Sequence, residues 1–220
     1  MEIGPGLGIL TDTIVEEADK TILIEKDQAL IGYLQGRYGD KNTEILKRDV
    51  LEKELPDFDK VVSNLPFNIS SPITFKLLKK NFDLGILTYQ KQYAERMVAK
   101  TGESEYSRLS VMVSTMADVK RLFDISKNSF YPPPKVDSSV VRLTPSEPDF
   151  KLKYEESFAD VVKELFNYRR KQIKNSIETG LDIEDENIPF GNKRVGNLPP
   201  EKINEIVNYL VESDLLEKKS

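Results

Sequence analysis

The 220-residue chain carries 32 Lys and Arg against 37 Asp and Glu, a net charge of −5, and it contains neither cysteine nor histidine. Those absences exclude disulfides, zinc–thiolate sites and the Ser-His and Cys-His nucleophile systems. No apolar run is long enough to span a bilayer and no signal-peptide pattern is present, so a soluble, cytoplasmic chain is expected. The length allows one full core and a smaller appended unit, because cores begin to divide at roughly 250 residues.

In chain order, the first informative segment is Glu2-Ile3-Gly4-Pro5-Gly6-Leu7-Gly8, followed by an apolar-periodic helix through Ile9, Leu10, Ile14 and Val15. Glycines at this spacing give a turn whose backbone can approach a ligand closely. A dinucleotide fingerprint would be Gly-x-Gly-x-x-Gly, with its pyrophosphate over the helix N-terminus. Here a proline separates the first two glycines and a carboxylate precedes them. Glu2 would repel a pyrophosphate but could hold an amino acid's ammonium group. A second apolar strand, 21–24, ends in Glu25-Lys26-Asp27, where an acid can hold a ribose diol. Asp49 follows a third strand, 43–46, and could accept from an adenine amine. Three acids on successive strand ends fit a positively charged nucleoside.

The strand 58–62 then leads into Asn64-Leu65-Pro66-Phe67. The Asn64 side-chain oxygen and the Leu65 carbonyl could accept the two hydrogens of an adenine amine. Pro66 fixes φ and removes a competing donor, and Phe67 offers a face for stacking. Read by itself, the tetrad is equally an ordinary strand-to-loop stop.

Further on, a strand at 84–89, helices at 90–99 and 108–117, and strands at 120–125 and 138–143 continue the pattern, the last two separated by Tyr131-Pro132-Pro133-Pro134. This alternation predicts an α/β fold with a mostly parallel, Rossmann-like sheet and one antiparallel edge. The prolines read as a stiff connector. Thr144-Pro145-Ser146-Glu147-Pro148 reads as a linker, giving domains over 1–146 and 150–220. Helical periodicity over 154–166 and 200–211 makes the second a small all-helical domain. Acids crowd at 16–17, 52–59 and 182–186, while Arg169, Arg170, Lys171 and Lys174 lie close together on what reads as one helix. Such a run is more commonly a solvated face than a track for phosphates.

Taken together, EIGPGLG, IEKD, RDV, NLPFN, TYQKQYAERM, YSRLSVM, FYPPPKVDSSVVRL, NYRRKQIKNSI and RVGNLPPEKINEIVNYL resemble the ribosomal RNA adenine dimethyltransferases, over essentially the whole chain. The resemblance implies a methyltransferase sheet that binds S-adenosylmethionine and a C-terminal helical domain that binds RNA. It implies Gly4, Glu25, Asp49 and Asn64 as cofactor contacts beside Glu2 and Gly6, and the tetrad as the target-adenine site. It turns the reading of Arg169, Arg170, Lys171 and Lys174 toward RNA, with Arg96 and Arg108 as further contacts, and no metal. The small-subunit enzyme is favoured by FYPPPKVDS and RRKQIKNSI, acting as a monomer on small-subunit ribosomal RNA and the small ribosomal subunit. Alternatives are a large-subunit methyltransferase of the antibiotic-resistance type and a ribosome-assembly factor whose catalysis is secondary. A DNA adenine methyltransferase and a dehydrogenase fit the tetrad and the glycine spacing less well. Where the family often has tyrosine after the proline, this chain has Phe67, which keeps stacking and loses any phenolic role. Only Met1 stands before Glu2 where the family has a longer stretch, so a truncated N-terminus is expected.

Overall fold

Strand β1 (Glu2–Ile3) is two residues long, yet it joins the two halves of the sheet. On one side it pairs in parallel with β2 (Thr21–Glu25), which pairs in parallel with β3 (Thr43–Lys47). On the other side lies β4 (Lys60–Asn64): Val62 N donates to Met1 O at 3.0 Å, and the buried Ser63 hydroxyl bonds both Ile3 N and Ile3 O. β4 pairs in parallel with β5 (Leu84–Gln90), and β5 pairs antiparallel with β7 (Ser138–Pro145), which lies between it and β6 (Ala117–Ile125). The strand order across the molecule is therefore 3-2-1-4-5-7-6. Every residue of β2 is buried, as expected of an interior parallel strand covered on both sides.

Helices separate the strands along the chain: α1 (Ile9–Glu17), α2 (Gln28–Tyr38), α3 (Ser70–Leu78), α4 (Lys91–Val98) and α5 (Arg108–Ser114). α2 starts where it does because the Asp27 side chain accepts from Ala29 N at 2.8 Å, satisfying one of the open N–H groups of its first turn. α5 is opened by a capping box between Ser107 and Ser110. The computed structural model describes residues 1–218, and none of the helices among them is long and apolar enough to cross a membrane.

The chain divides into two units, residues 1–94 with 118–145 and residues 95–117 with 146–220. The first holds the sheet. The second contains α6 (Glu155–Asn167), α7 (Ile173–Leu181) and α8 (Pro200–Glu212), whose apolar stripes meet in one core. Phe158, Val161, Val162 and Leu165 recur at helical spacing on α6, and Ile203, Ile206, Val207 and Leu210 do so on α8; all are buried. Tyr106 and Val111 belong to that same core, and the Tyr106 hydroxyl donates to Leu198 O at 2.9 Å. Residues 95–117, expected within a first domain running to 146, are therefore grouped with the C-terminal helices. Packing of Tyr106 and Val111 is the physical reason.

The basic run also departs from expectation. Arg169, Arg170 and Lys171 lie in the turn after α6, closed by Lys171 N donating to Tyr168 O at 2.8 Å, and Lys174 is the second residue of α7. They do not share one helix. The break is fixed from outside, since Ile173 N and Lys174 N donate to the carbonyls of Lys193 and Gly191, at 2.8 and 3.1 Å.

Candidate active site

All four segments singled out by their chemistry emerge from the carboxyl ends of parallel strands. The register sets Ile3 opposite Ile24, Glu25 opposite Lys47 and Asn64 opposite Thr88, so the glycine turn, the two acidic strand ends and the tetrad open on one edge of the sheet. In open α/β sheets that edge is where ligands bind.

The glycine turn holds positive φ at Gly4 (65°), Gly6 (58°) and Gly8 (82°), a conformation side-chain-bearing residues rarely adopt. Gly4 N donates to Ile24 O at 2.9 Å. A methyl group at Gly4 would lie 3.6 Å from Pro66 Cδ, so this turn and the tetrad are direct neighbours. At Gly6 nothing lies within 4 Å of such a methyl, which leaves its backbone open to a ligand.

Gly8 is constrained differently. A Cβ there would stand 2.2 Å from the Tyr38 hydroxyl. That buried hydroxyl donates to Gly8 O (3.0 Å) or to Asp12 Oδ1 (2.7 Å), and Asp12 Oδ2 is paired with Arg37 at 2.6 Å. Burial, reinforced by the Asp12 carboxylate, pushes the Tyr38 phenol up to about 12, so it remains protonated and able to donate. Tyr38, Asp12 and Gly8 were not singled out as site residues in the sequence. The third glycine of the turn is the one signal that could have drawn attention there.

Glu2 is buried and accepts the Thr11 hydroxyl at 2.6 Å. Burial raises its pKa to about 7 against that hydrogen bond, so the residue braces α1 from inside rather than presenting a fixed negative charge. Glu25 is better placed for a ligand. Its Oε1 accepts from Lys26 N and Asp27 N at 2.8 and 2.9 Å, which fixes the carboxylate and leaves Oε2 without a partner among the described residues. Asp49 Oδ1 accepts from Leu51 N at 2.9 Å, and Oδ2 lies 3.5 Å from Lys26 Nζ. The Leu51 bond and the nearby lysine hold the Asp49 carboxyl below the usual range.

In the tetrad, Leu65 is the anchor, being buried, whereas Asn64 and Pro66 are exposed and Phe67 is half-buried. The Asn64 carboxamide is exposed and makes no hydrogen bond within the described residues. Pro66 O accepts from Ile69 N at 3.1 Å, closing a short turn that begins at Phe67. The positions fit an adenosine-bearing sulfonium ligand: an open glycine backbone, a preoriented carboxylate oxygen for a diol, a second acid one strand further, and an unengaged amide beside them.

The basic residues lie elsewhere in the chain. Arg96 and Arg108 are exposed, on α4 and at the first position of α5, and both belong to the second unit. Arg169 is engaged internally, donating to Ser104 O at 2.9 Å and Glu103 O at 3.2 Å. Lys171 donates to Thr179 Oγ1 at 2.8 Å and Lys174 pairs with Glu186 at 3.1 Å, whereas Arg170 is exposed and unengaged among the described residues.

Sheet order and site together define a Rossmann-like α/β methyltransferase. The chain belongs to the ribosomal RNA adenine dimethylase family, whose sequence model matches residues 1–212. It is 44% identical to a probable ribosomal RNA small subunit methyltransferase A of Thermococcus sibiricus, over 99% of this chain and 83% of that one. A protein of the same description from Methanococcoides burtonii is 43% identical over 96% and 82%. Among solved structures, a dimethyladenosine transferase from Plasmodium falciparum superposes with a TM-score of 0.83 at 29% identity, covering 97% of this chain and 90% of that one. The 23S rRNA methyltransferase ErmE superposes with a TM-score of 0.69 at 26% identity, over 95% and 89%.

Proposed function

We propose that this protein uses S-adenosylmethionine to dimethylate the exocyclic amines of adjacent adenosines in a loop near the 3′ end of small-subunit ribosomal RNA. It would act as a cytoplasmic monomer on the maturing small ribosomal subunit, with the sheet-bearing unit, residues 1–94 and 118–145, serving methyl transfer and the unit of residues 95–117 and 146–220 serving RNA binding. The observation that carries the reading is the adjacency of Gly4 and Pro66 at the carboxyl edge of the sheet, with the Asn64 amide unengaged beside them. The curated relatives at 40 to 44% identity bear small-subunit names, which supports this reading over the large-subunit one.

S-adenosylmethionine supplies a sulfonium methyl that needs no further activation, so the chain's part is positioning, which can lower a barrier by about 7–11 kcal/mol. Glu25 Oε2 would accept a ribose hydroxyl, Asp49 would accept the cofactor's adenine amine, and the backbone from Gly4 to Gly6 would lie against the remainder of the molecule. Asn64 Oδ1 and the Leu65 carbonyl would accept the two hydrogens of the target amine. That favours a more pyramidal nitrogen whose lone pair forms the N–C bond as the C–S bond breaks. The proton leaves to water and S-adenosylhomocysteine is the other product. Phe67 would hold the extruded base by stacking, and extrusion costs least in a loop. Arg96, Arg108, Arg170, Lys171 and Lys174 would contact phosphates, with Arg169 supporting the loop they flank.

The test is to supply labelled S-adenosylmethionine with undermethylated small subunits and, separately, with large-subunit RNA, and to map the label. Dimethyladenosine in the small-subunit RNA alone is expected. Label in large-subunit RNA, or binding to the small subunit without transfer, would overturn the proposal.

A further inference from the structure

The connection from β6 to β7, residues 126–137, is not used by the reaction as described, and its position follows from the strand register. Gln90 at the carboxyl end of β5 pairs with Ser138 at the start of β7, and Thr88 pairs with both Asn64 and Val140. The connection therefore opens on the same edge of the sheet as the tetrad, within the same unit. It is tied down at both ends: Lys127 N donates to Asp137 Oδ1 at 2.9 Å, Lys91 N donates to Asp137 O at 2.9 Å, and Ser126 Oγ caps the short turn 127–129 at Asn128 N. Pro132, Pro133 and Pro134 stiffen its middle.

On this anchored loop stands a tyrosine that nothing covers. Tyr131 is 100% exposed, whereas tyrosines ordinarily lie half in and half out of the core. Lys127 and Lys135 are exposed on either side of it, and neither ammonium group has a partner among the described residues. The carboxylate between them and β7, Asp137, is already engaged through Oδ1 by the backbone N–H of Lys127. An aromatic face flanked by two unneutralised cations on a preordered backbone is the composition of a stacking platform for single-stranded nucleic acid. Its rigidity lowers the ordering cost on binding.

We infer that Tyr131, Lys127 and Lys135 form a landing site for the single-stranded RNA beside the target adenosine, the ring stacking on a neighbouring base and the lysines pairing with its phosphates. This rests on the proposed RNA substrate and adds the surface that delivers it to the tetrad.

The test uses the full chain and a single-stranded RNA decamer containing two adjacent adenosines. Binding is titrated over a range of salt, alongside calorimetry with S-adenosylmethionine and methyl transfer to undermethylated small subunits. Tyr131→Ala should weaken decamer binding about 5- to 150-fold, while Tyr131→Phe retains it, because only the ring is required. The double variant Lys127→Gln, Lys135→Gln should lower the slope of log affinity against log salt by about 0.7 per lost phosphate contact. S-adenosylmethionine affinity should stay unchanged in all three. If the wild type binds and methylates RNA but these variants match it in affinity and salt slope, the landing site is overturned while the proposed function stands. If the wild type neither binds nor methylates the RNA, both fall together.

Discussion

Single residues divide between those that perform and those that hold. Asn64 is exposed and unbonded, so Asn64→Ala should leave the thermal midpoint within experimental error while cutting methyl transfer by roughly a hundredfold or more, the usual cost of losing one preorganised polar contact. Retained turnover would remove Asn64 from the acceptor site. Glu2 is of the other kind. Its folded pKa of about 7 lies above the ordinary 4.5, so the folded protein binds this proton more tightly than the unfolded chain does. The stability it contributes is complete below about pH 4.5 and is lost as pH rises through about 7. Glu2→Gln keeps an acceptor for the Thr11 hydroxyl and removes the titration. Denaturant unfolding of both proteins should show the wild type losing up to about 3 kcal/mol more than the variant between pH 4.5 and 8. Parallel pH profiles would contradict this.

At the scale of elements, the glycine turn and α2 act as one piece through Tyr38. Gly6→Ala and Gly8→Ala both place an alanine at positive φ, at a cost of about 1–2 kcal/mol each. Only the second also drives a methyl into the Tyr38 hydroxyl and disturbs its bonds to Gly8 O and Asp12. Unfolding free energies should therefore fall distinctly further for Gly8→Ala; equal losses would mean that the tyrosine contact does not matter. This coupling was invisible in sequence because Tyr38 and Gly8 meet only after a β-α turn closes. Ser63 is a similar case. It looks like any strand residue, yet its hydroxyl stands in for ladder bonds to a strand 60 positions earlier. By contrast the places of Glu25 and Asn64 at the ends of β2 and β4 were legible, because each follows an apolar run whose termination is a local event. The basic run misled for the opposite reason. Its sequence is compatible with a helix, and the carbonyls of Gly191 and Lys193 that end that possibility lie some twenty residues away.

For the whole molecule, the strand alternation predicted an α/β sheet, but the place of β7 between β5 and β6 depends on pairing that no local pattern encodes. Nor did the sequence reveal that residues 95–117 pack with the C-terminal helices. Arg169 is a fastener of that second unit, while Arg170 is unengaged, and substitutions should separate them. Arg169→Ala should lower thermal stability by freeing two carbonyls at Glu103 and Ser104, and Arg170→Gln should leave stability alone but flatten the salt dependence of small-subunit binding by roughly 0.7–0.9 log unit. Matching effects in the two variants would contradict the division.

The interleaving of the two units along the chain has a consequence for synthesis. Strand β5 leaves the ribosome ahead of residues 95–117, whose packing partners on α6, α7 and α8 are translated later. Tyr106 and Val111 therefore stay uncovered in every nascent chain until those helices emerge, and for the same reason a fragment ending at Pro145 carries an orphaned apolar segment instead of a finished catalytic module. The sheet can close early. The second unit closes only after α6, α7 and α8 have followed.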